Sequence, residues 1–191
     1  MELTEQEKKI LLNAARESIR STFSNEKLPA TDYKKHPVFN SHSGAFVTIT
    51  KNKNLRGCIG YIISSQPLFL TVCEAAIQAA TEDPRFPSLD ENEFEKIELE
   101  ISILSEPFQI KSYDEIEIGK HGLILEEKGR RALLLPQVPI EHNFNKEEFL
   151  SALCQKGGFS PNLWEEKLLN ISMFTATVFS EEELGNSNAE N

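Results

Sequence analysis

Apolar residues near the start of the chain recur at helical spacing. Ile10, Leu11, Ala14, Ala15, Ile19 and Phe23 fall on one stripe. Thr4-Glu5-Gln6-Glu7 precedes the stripe as a capping box, with a hydroxyl at the cap and a carboxylate three residues on. The spacing predicts a first helix packed on a core. The period then dissolves over residues 24–43, which hold Pro29, Tyr33, His36, Pro37, Phe39 and His42. A connection of about 20 residues without structure of its own is uncommon in a compact domain. It reads as a strap pinned to the surface, with a lid as the alternative.

Gly44-Ala45-Phe46-Val47-Thr48-Ile49-Thr50 reads as a strand, Lys51 to Asn54 as a turn, and Leu55 to Ile63 as the returning strand of a hairpin. Pro67 suits the first position of a second helix, whose apolar face is Phe69, Val72, Cys73, Ala76, Ile77 and Ala80. Asp83-Pro84-Arg85-Phe86-Pro87 is a rigid loop, because two prolines fix its path. Strict alternation over Ile97 to Ile103 predicts a strand with one wet face. His121-Gly122 opens a strand over Leu123 to Glu126. Lys128-Gly129 turns it, Ala132 to Leu135 returns, and Pro136 and Pro139 end the hairpin. Asn145 and Glu148 cap a helix through Leu153 and Cys154, which Gly157-Gly158 terminates. Ser160-Pro161 starts a short helix bearing Trp164, Ile171 to Phe179 is a last strand, and residues 181–191 form a frayed acidic tail. The order α-β-β-α-β-β-β-α-α-β, built from hairpins, predicts an α+β fold of mostly antiparallel sheet with flanking helices.

Composition narrows the setting. The chain has 191 residues, 39% hydrophobic and 26% charged, which fits one domain or two small lobes and excludes disorder of the whole chain. No run of 18 apolar residues offers a membrane span, and polar residues 1–20 do not read as a secretory signal. A net charge of −10 disfavours nucleic acid. The cations cluster only at Lys51-Asn52-Lys53 with Arg56, and at Lys128-Gly129-Arg130-Arg131. Three cysteines, Cys58, Cys73 and Cys154, with no C-x-x-C spacing, fit a reducing cytoplasm better than a disulfide framework or a zinc knuckle.

The sequence lacks a phosphate-binding loop, a dinucleotide fingerprint, H-E-x-x-H and G-x-S-x-G. Its four histidines show no helical pairing, so neither a metal nor a cofactor is expected. The unusual stretch is Leu55-Arg56-Gly57-Cys58-Ile59-Gly60-Tyr61, where two glycines interrupt an apolar strand and imply a bulge or a close approach of backbone or ligand. In an extended strand, Arg56, Cys58 and Gly60 share one face. A cation roughly 6 Å from a thiolate, at an effective dielectric of about 20, stabilises it by on the order of 2–3 kcal/mol before screening. Cys58 is thus read as a nucleophile, as the lining of a ligand pocket, or as a small side chain filling a tight crossing.

Leu-Arg-Gly-Cys-Ile-Gly at 55–60 resembles the signature of the AMMECR family, whose prokaryotic members are called AmmeMemoRadiSam system protein A. Gly44 to Thr48, Asp83-Pro84-Arg85-Phe86, His121 to Ile124, Leu134 to Val138, Phe149 to Cys154, Lys156-Gly157-Gly158 and Trp164 follow in the family's order. The resemblance covers about residues 4–180 as a single domain. Phe144 stands where many members carry Trp, and Ile140 where a small residue is usual.

The resemblance implies an α+β fold with a larger and a smaller lobe. It also implies partnership with a Memo-like protein and a radical S-adenosylmethionine enzyme, without specifying a reaction. Convergence of the family blocks would make Cys58 a nucleophile and His121 its base or orienting group. Arg56 or Arg85 would bind an anion or hold the thiolate. Gly57 and Gly60 would permit close approach, and Gln137 and Glu141 would supply hydrogen bonds. The other expectation is a non-catalytic module in which the same surface holds a peptide, a small ligand or a partner enzyme, with the 24–43 strap as its rim.

Overall fold

The computed structural model describes residues 2–24 and 27–186. The chain forms two compact units, Met1–Leu104 with Thr177–Asn191, and Ser105–Ala176.

The first unit begins with α1 (Glu5–Arg20), capped by Thr4 and Glu7 as expected. Leu11, Ala15 and Ile19 on its stripe are fully buried. Strands β1 (Ala45–Lys51) and β2 (Asn54–Tyr61) form the expected hairpin. Asn52 and Lys53 at its turn both take positive φ, 52° and 64°, which matches the twist of the flanking strands. Helix α2 (Leu68–Thr81) starts one residue after Pro67, which sits at its cap. Strand β3 (Ile97–Leu104) pairs antiparallel with β1, and β8 (Ala176–Ser180) completes a sheet of order β2-β1-β3-β8. Ala45, Val47 and Ile49 alternate onto one face with β3 residues Ile97, Leu99, Ile101 and Ile103. That face joins α1 and α2 in one buried core, which includes Cys73.

Over its described residues, the 24–43 segment is a pinned strap. A single 3-10 turn, Pro37–Asn40, buries Phe39 completely against the core, with its ring 5.9 Å from that of Phe69. The Ser41 carbonyl accepts the N–H of Leu68 at 2.8 Å, tying the strap to the start of α2.

The second unit has the sheet order β4-β7-β5-β6. Its strands are β4 (Phe108–Gln109), β5 (Gly122–Glu127), β6 (Arg130–Leu134) and β7 (Ile171–Phe174). The helices are α3 (Val138–Glu141), α4 (Lys146–Lys156) and α5 (Leu163–Glu166). Asn145 and Glu148 cap α4 reciprocally, and Phe149, Leu150, Leu153 and Cys154 bury its inner face. Trp164 donates to Ser151 Oγ at 3.0 Å, fixing α5 on α4.

Both sheets pair antiparallel wherever register is resolved, so the fold is α+β. Several features differ from the sequence reading. The last strand is two, because Thr175 leaves the ladder, exchanges hydrogen bonds with Ser105, and separates β7 from β8 in the other sheet. The two-residue β4 is too short to carry a period. Finally, Glu181–Asn186 forms a helix, α6, rather than a frayed tail. Glu181 anchors it, pairing with Arg16 at 2.6 Å and accepting the Leu99 N–H at 2.9 Å. Residues 187–191 of the expected tail lie outside the described residues.

Candidate functional site

The hairpin β1–β2 positions the unusual stretch. Gly57 faces Ile49 and Leu55 faces Thr50, so Arg56 has no partner on β1 and the strand bulges there. The bulge breaks the alternation that would set Arg56 beside Cys58. All three guanidinium nitrogens of Arg56 engage the loop beyond residue 86. They donate to Glu93 at 3.3 and 2.8 Å, to the Pro87 carbonyl at 2.9 Å and to the Ser88 carbonyl at 3.3 Å. Glu93 also accepts from Lys51 at 2.7 Å. Hydrogen bonds from Arg56, then Lys51, hold its carboxyl down at about 2.

The cation that Cys58 meets is Arg85. Asp83 is buried, and its carboxylate accepts the Cys58 N–H at 2.8 Å. It also takes Nε and Nη2 of Arg85 at 2.9 and 2.7 Å in a fork, and the Arg85 N–H at 3.1 Å. Arg85 Nη2 reaches on to the Cys58 carbonyl at 3.3 Å. One carboxylate and one guanidinium therefore hold both main-chain groups of Cys58, in the manner of a neighbouring strand. The Arg85 hydrogen bonds, chiefly, push the Asp83 carboxyl far below the usual range. Asp83 foremost, and the Cys58 thiol to a lesser degree, raise the proton affinity of Arg85. The Cys58 side chain is half-buried, and its sulfur accepts from Thr48 Oγ1 at 3.3 Å across the hairpin. Thr48 thus supplies a hydroxyl donor at the sulfur, and Arg85 a guanidinium at the carbonyl of the same residue.

The two glycines make close backbone packing possible. A Cβ at Gly57 would stand 2.1 Å from the Ala79 carbonyl oxygen of α2, and one at Gly60 would stand 2.3 Å from the Ala45 oxygen and 2.6 Å from the Phe46 ring. At both positions the room belongs to the fold itself.

The other expected site residues lie in the second unit. His121 is buried just before β5, its ring edge-on to Phe108 at 6.3 Å. Its Nδ1 accepts the Glu117 N–H at 3.1 Å, which places the proton of the neutral ring on Nε2. His121 is therefore set as an Nε2–H donor, and proton abstraction at Nδ1 would require breaking the Glu117 bond. Gln137 is half-buried at the start of α3, and Glu141 is exposed at its end. Phe144, in place of the more usual Trp, packs on the core of this unit and stacks on His142 at 5.2 Å. The structure brings Cys58, Asp83, Arg85 and Thr48 together in one unit, with Gln137, Glu141 and His121 in the other.

The remaining chemistry is inert by comparison. Cys73 and Cys154 are buried, and burial raises both thiols above the ordinary range. The first basic cluster is neutralised, and the second in part. Lys51 and Arg56 pair with Glu93, Lys53 pairs with Glu98 and Glu182, and Arg131 pairs with Glu126. Arg130 lies over Phe159 and donates to the Gly158 carbonyl. Among the described residues no group of three or more His, Cys, Asp or Glu is arranged to hold a metal ion, and no helix is long and apolar enough to cross a membrane.

The family model AMMECR1 matches residues 12–179. The chain belongs to this family. Relatives in the AMMECR1 family include a Methanosarcina barkeri protein, 41% identical, with 95% of this chain and 93% of that one covered. A Thermoplasma acidophilum protein is 42% identical, with 88% and 84% covered. The crystal structure of an uncharacterised protein from Pyrococcus horikoshii superposes with a TM-score of 0.82 at 34% identity, over 91% of this chain and 90% of that one.

In this AMMECR1 chain, sequence reasoning missed Asp83 and Thr48 as parts of the Cys58 cluster. Thr48 was legible only in part, since a regular hairpin turning at 52–53 sets residue 48 opposite residue 57, and the bulge at Arg56 moves it opposite Cys58. Asp83 was not, because a carboxylate between a helix end and a proline reads as a turn residue.

Proposed function

We propose that this AMMECR1-family chain is a component of a partner-dependent enzymatic system with a Memo-like protein and a radical S-adenosylmethionine enzyme. It acts there through the surface around Leu55 to Gly60, with Cys58 as the reactive group. The partnership is supported by the family signature that the chain carries. The assignment to Cys58 is supported by one observation: Asp83 and Arg85 immobilise both main-chain groups of Cys58 while leaving its thiol half-exposed beneath a hydroxyl donor. A residue that only fills a strand crossing needs no such fixation. Nucleophilic attack does, because a nucleophile held in place has already lost the freedom that the reaction would otherwise cost. Arg85, half of whose side chain is exposed, is the cation available to an anionic substrate, whereas Arg56 is tied into its loop.

The test mixes the chain with the two partner proteins at tens of micromolar and follows association by size-exclusion chromatography and product by mass spectrometry. Association with the wild type, and loss of product without loss of association in Cys58→Ser, is the expected result. Turnover that survives Cys58→Ser would favour a non-catalytic binding module on the same surface. Failure to associate would remove the partnership.

A further inference from the structure

Asp83 lies outside the hexapeptide, in the Asp-Pro-Arg-Phe block, and it is a buried ionisable group of the first unit. Its side chain is 2% exposed, whereas that of its partner Arg85 is 53% exposed. A buried carboxylate is costly unless its lone pairs are filled, and those of Asp83 are filled by four donors, all from Cys58 and Arg85. It lies between the end of α2 and Pro84, a position that fixes its backbone. Asp83 is thus the rigid partner and Arg85 the mobile one. A long, half-exposed arginine loses rotamer freedom when held in one geometry, and released it extends into solvent, where its charge is screened. The fork on Nε and Nη2 leaves Nη2 able to reach Cys58 only in the orientation that Asp83 dictates.

We propose that Asp83 is the positioning residue of the Cys58 site: by holding the Cys58 N–H and the Arg85 guanidinium at once, it fixes the cation on the main chain of Cys58 and thereby sets how readily the thiol reacts. This inference rests on the reading of Cys58 as the reactive group and adds the residue that controls it. Asp83 holds the Cys58 main chain and the Arg85 guanidinium rather than the sulfur, so it positions the thiol through its neighbours.

The test is the rate of iodoacetamide alkylation at Cys58, read site by site by mass spectrometry on the whole folded chain across a pH series. The variants are wild type, Asp83→Asn, Arg85→Lys and Arg85→Ala, each checked for a folded circular-dichroism spectrum at the assay temperature. Asn keeps one acceptor but cannot receive both the Cys58 N–H and the arginine fork. Asp83→Asn is expected to slow Cys58 at neutral pH by about threefold and to displace its pH–rate profile upward. A loss of this size is what release of a nearby cation into screening solvent produces. Arg85→Lys keeps the charge but not the fork, and is expected to fall with Arg85→Ala rather than with wild type.

An Asp83→Asn protein that alkylates at the wild-type rate makes Asp83 a loop strut and overturns the proposal. One that alkylates faster makes it only a repelling charge, with the same consequence. If Asp83→Asn does not fold, Arg85→Lys decides: a wild-type rate there means that charge alone suffices and the fork does not matter. A wild-type Cys58 no more reactive than Cys73 and Cys154 sinks the reading of Cys58 and this inference with it. A reactive wild type with an indifferent Asp83→Asn sinks the inference alone.

Discussion

Asp83 Oδ2 accepts the backbone N–H of Cys58 at 2.8 Å, so a loop carboxylate closes a hydrogen bond on β2 that no neighbouring strand supplies. The same carboxylate grips Arg85, whose guanidinium returns to the Cys58 carbonyl. The family hexapeptide and the Asp-Pro-Arg-Phe block, separated in sequence by the whole of α2, are one device in space.

The fixed path of β2 against α2 makes Gly57 intolerant of a side chain. A methyl group there would stand 2.1 Å from the Ala79 carbonyl, and helix backbone cannot yield as a flexible side chain does. Gly57→Ala is expected to destabilise the protein by about 2–4 kcal/mol, measured by chemical denaturation. A loss under about 0.5 kcal/mol, typical of an open surface site, would show that β2 and α2 do not pack this closely.

Arg56 serves the bulge rather than the thiol. Removing it orphans two carbonyls and leaves Glu93 with Lys51 alone among its cationic partners. Arg56→Ala is expected to cost about 2–3 kcal/mol of stability, since its bonds are charge-assisted and its side chain is only 12% exposed. Cys58 alkylation should stay within about twofold of wild type, an effect smaller than loss of a neighbouring charge produces. A tenfold drop in reactivity at unchanged stability would restore Arg56 to the thiol.

Stability should fall in acid through Glu93. Its carboxyl is held at about 2 against a usual 4.5, so the folded state binds its proton less tightly than the unfolded chain does. The resulting stabilisation is complete above 4.5 and disappears as pH falls from there towards about 2. Undiminished, that displacement is worth about 3 kcal/mol, and solvent screening of a partly exposed carboxylate lowers it. Asp83, displaced in the same direction, adds to the loss below its usual 3.8. Denaturation midpoints followed across this range should drop more steeply in wild type than in Glu93→Gln. Parallel curves would contradict the role given to Glu93.

Local chemistry was legible in the sequence wherever one segment decides its own shape. The Thr4 and Asn145 capping boxes, the hairpin turning at Asn52 and Lys53, and the stripes of α1 and α2 all follow from short-range rules. Legibility ended where partners come from afar. Alternation set Arg56 beside Cys58 because it assumes an unbroken ladder, and the bulge opposite Ile49 and Thr50 breaks it. The expected single strand over 171–179 hid a change of sheet at Thr175, because both halves are apolar enough to serve. Glu181 looked like part of a solvated acidic run until its salt bridge to Arg16, 165 residues away, gave it a place.

The central claim is that Cys58 is held as a reactive thiol while the other two cysteines are core. Its direct test is competitive alkylation of the native protein at neutral pH, with Cys58, Cys73 and Cys154 quantified separately by mass spectrometry. Cys58 should be modified at least about a hundredfold faster than the other two, which react only through opening of the fold. Three cysteines modified at similar rates, or a Cys58 as protected as Cys154, would contradict it.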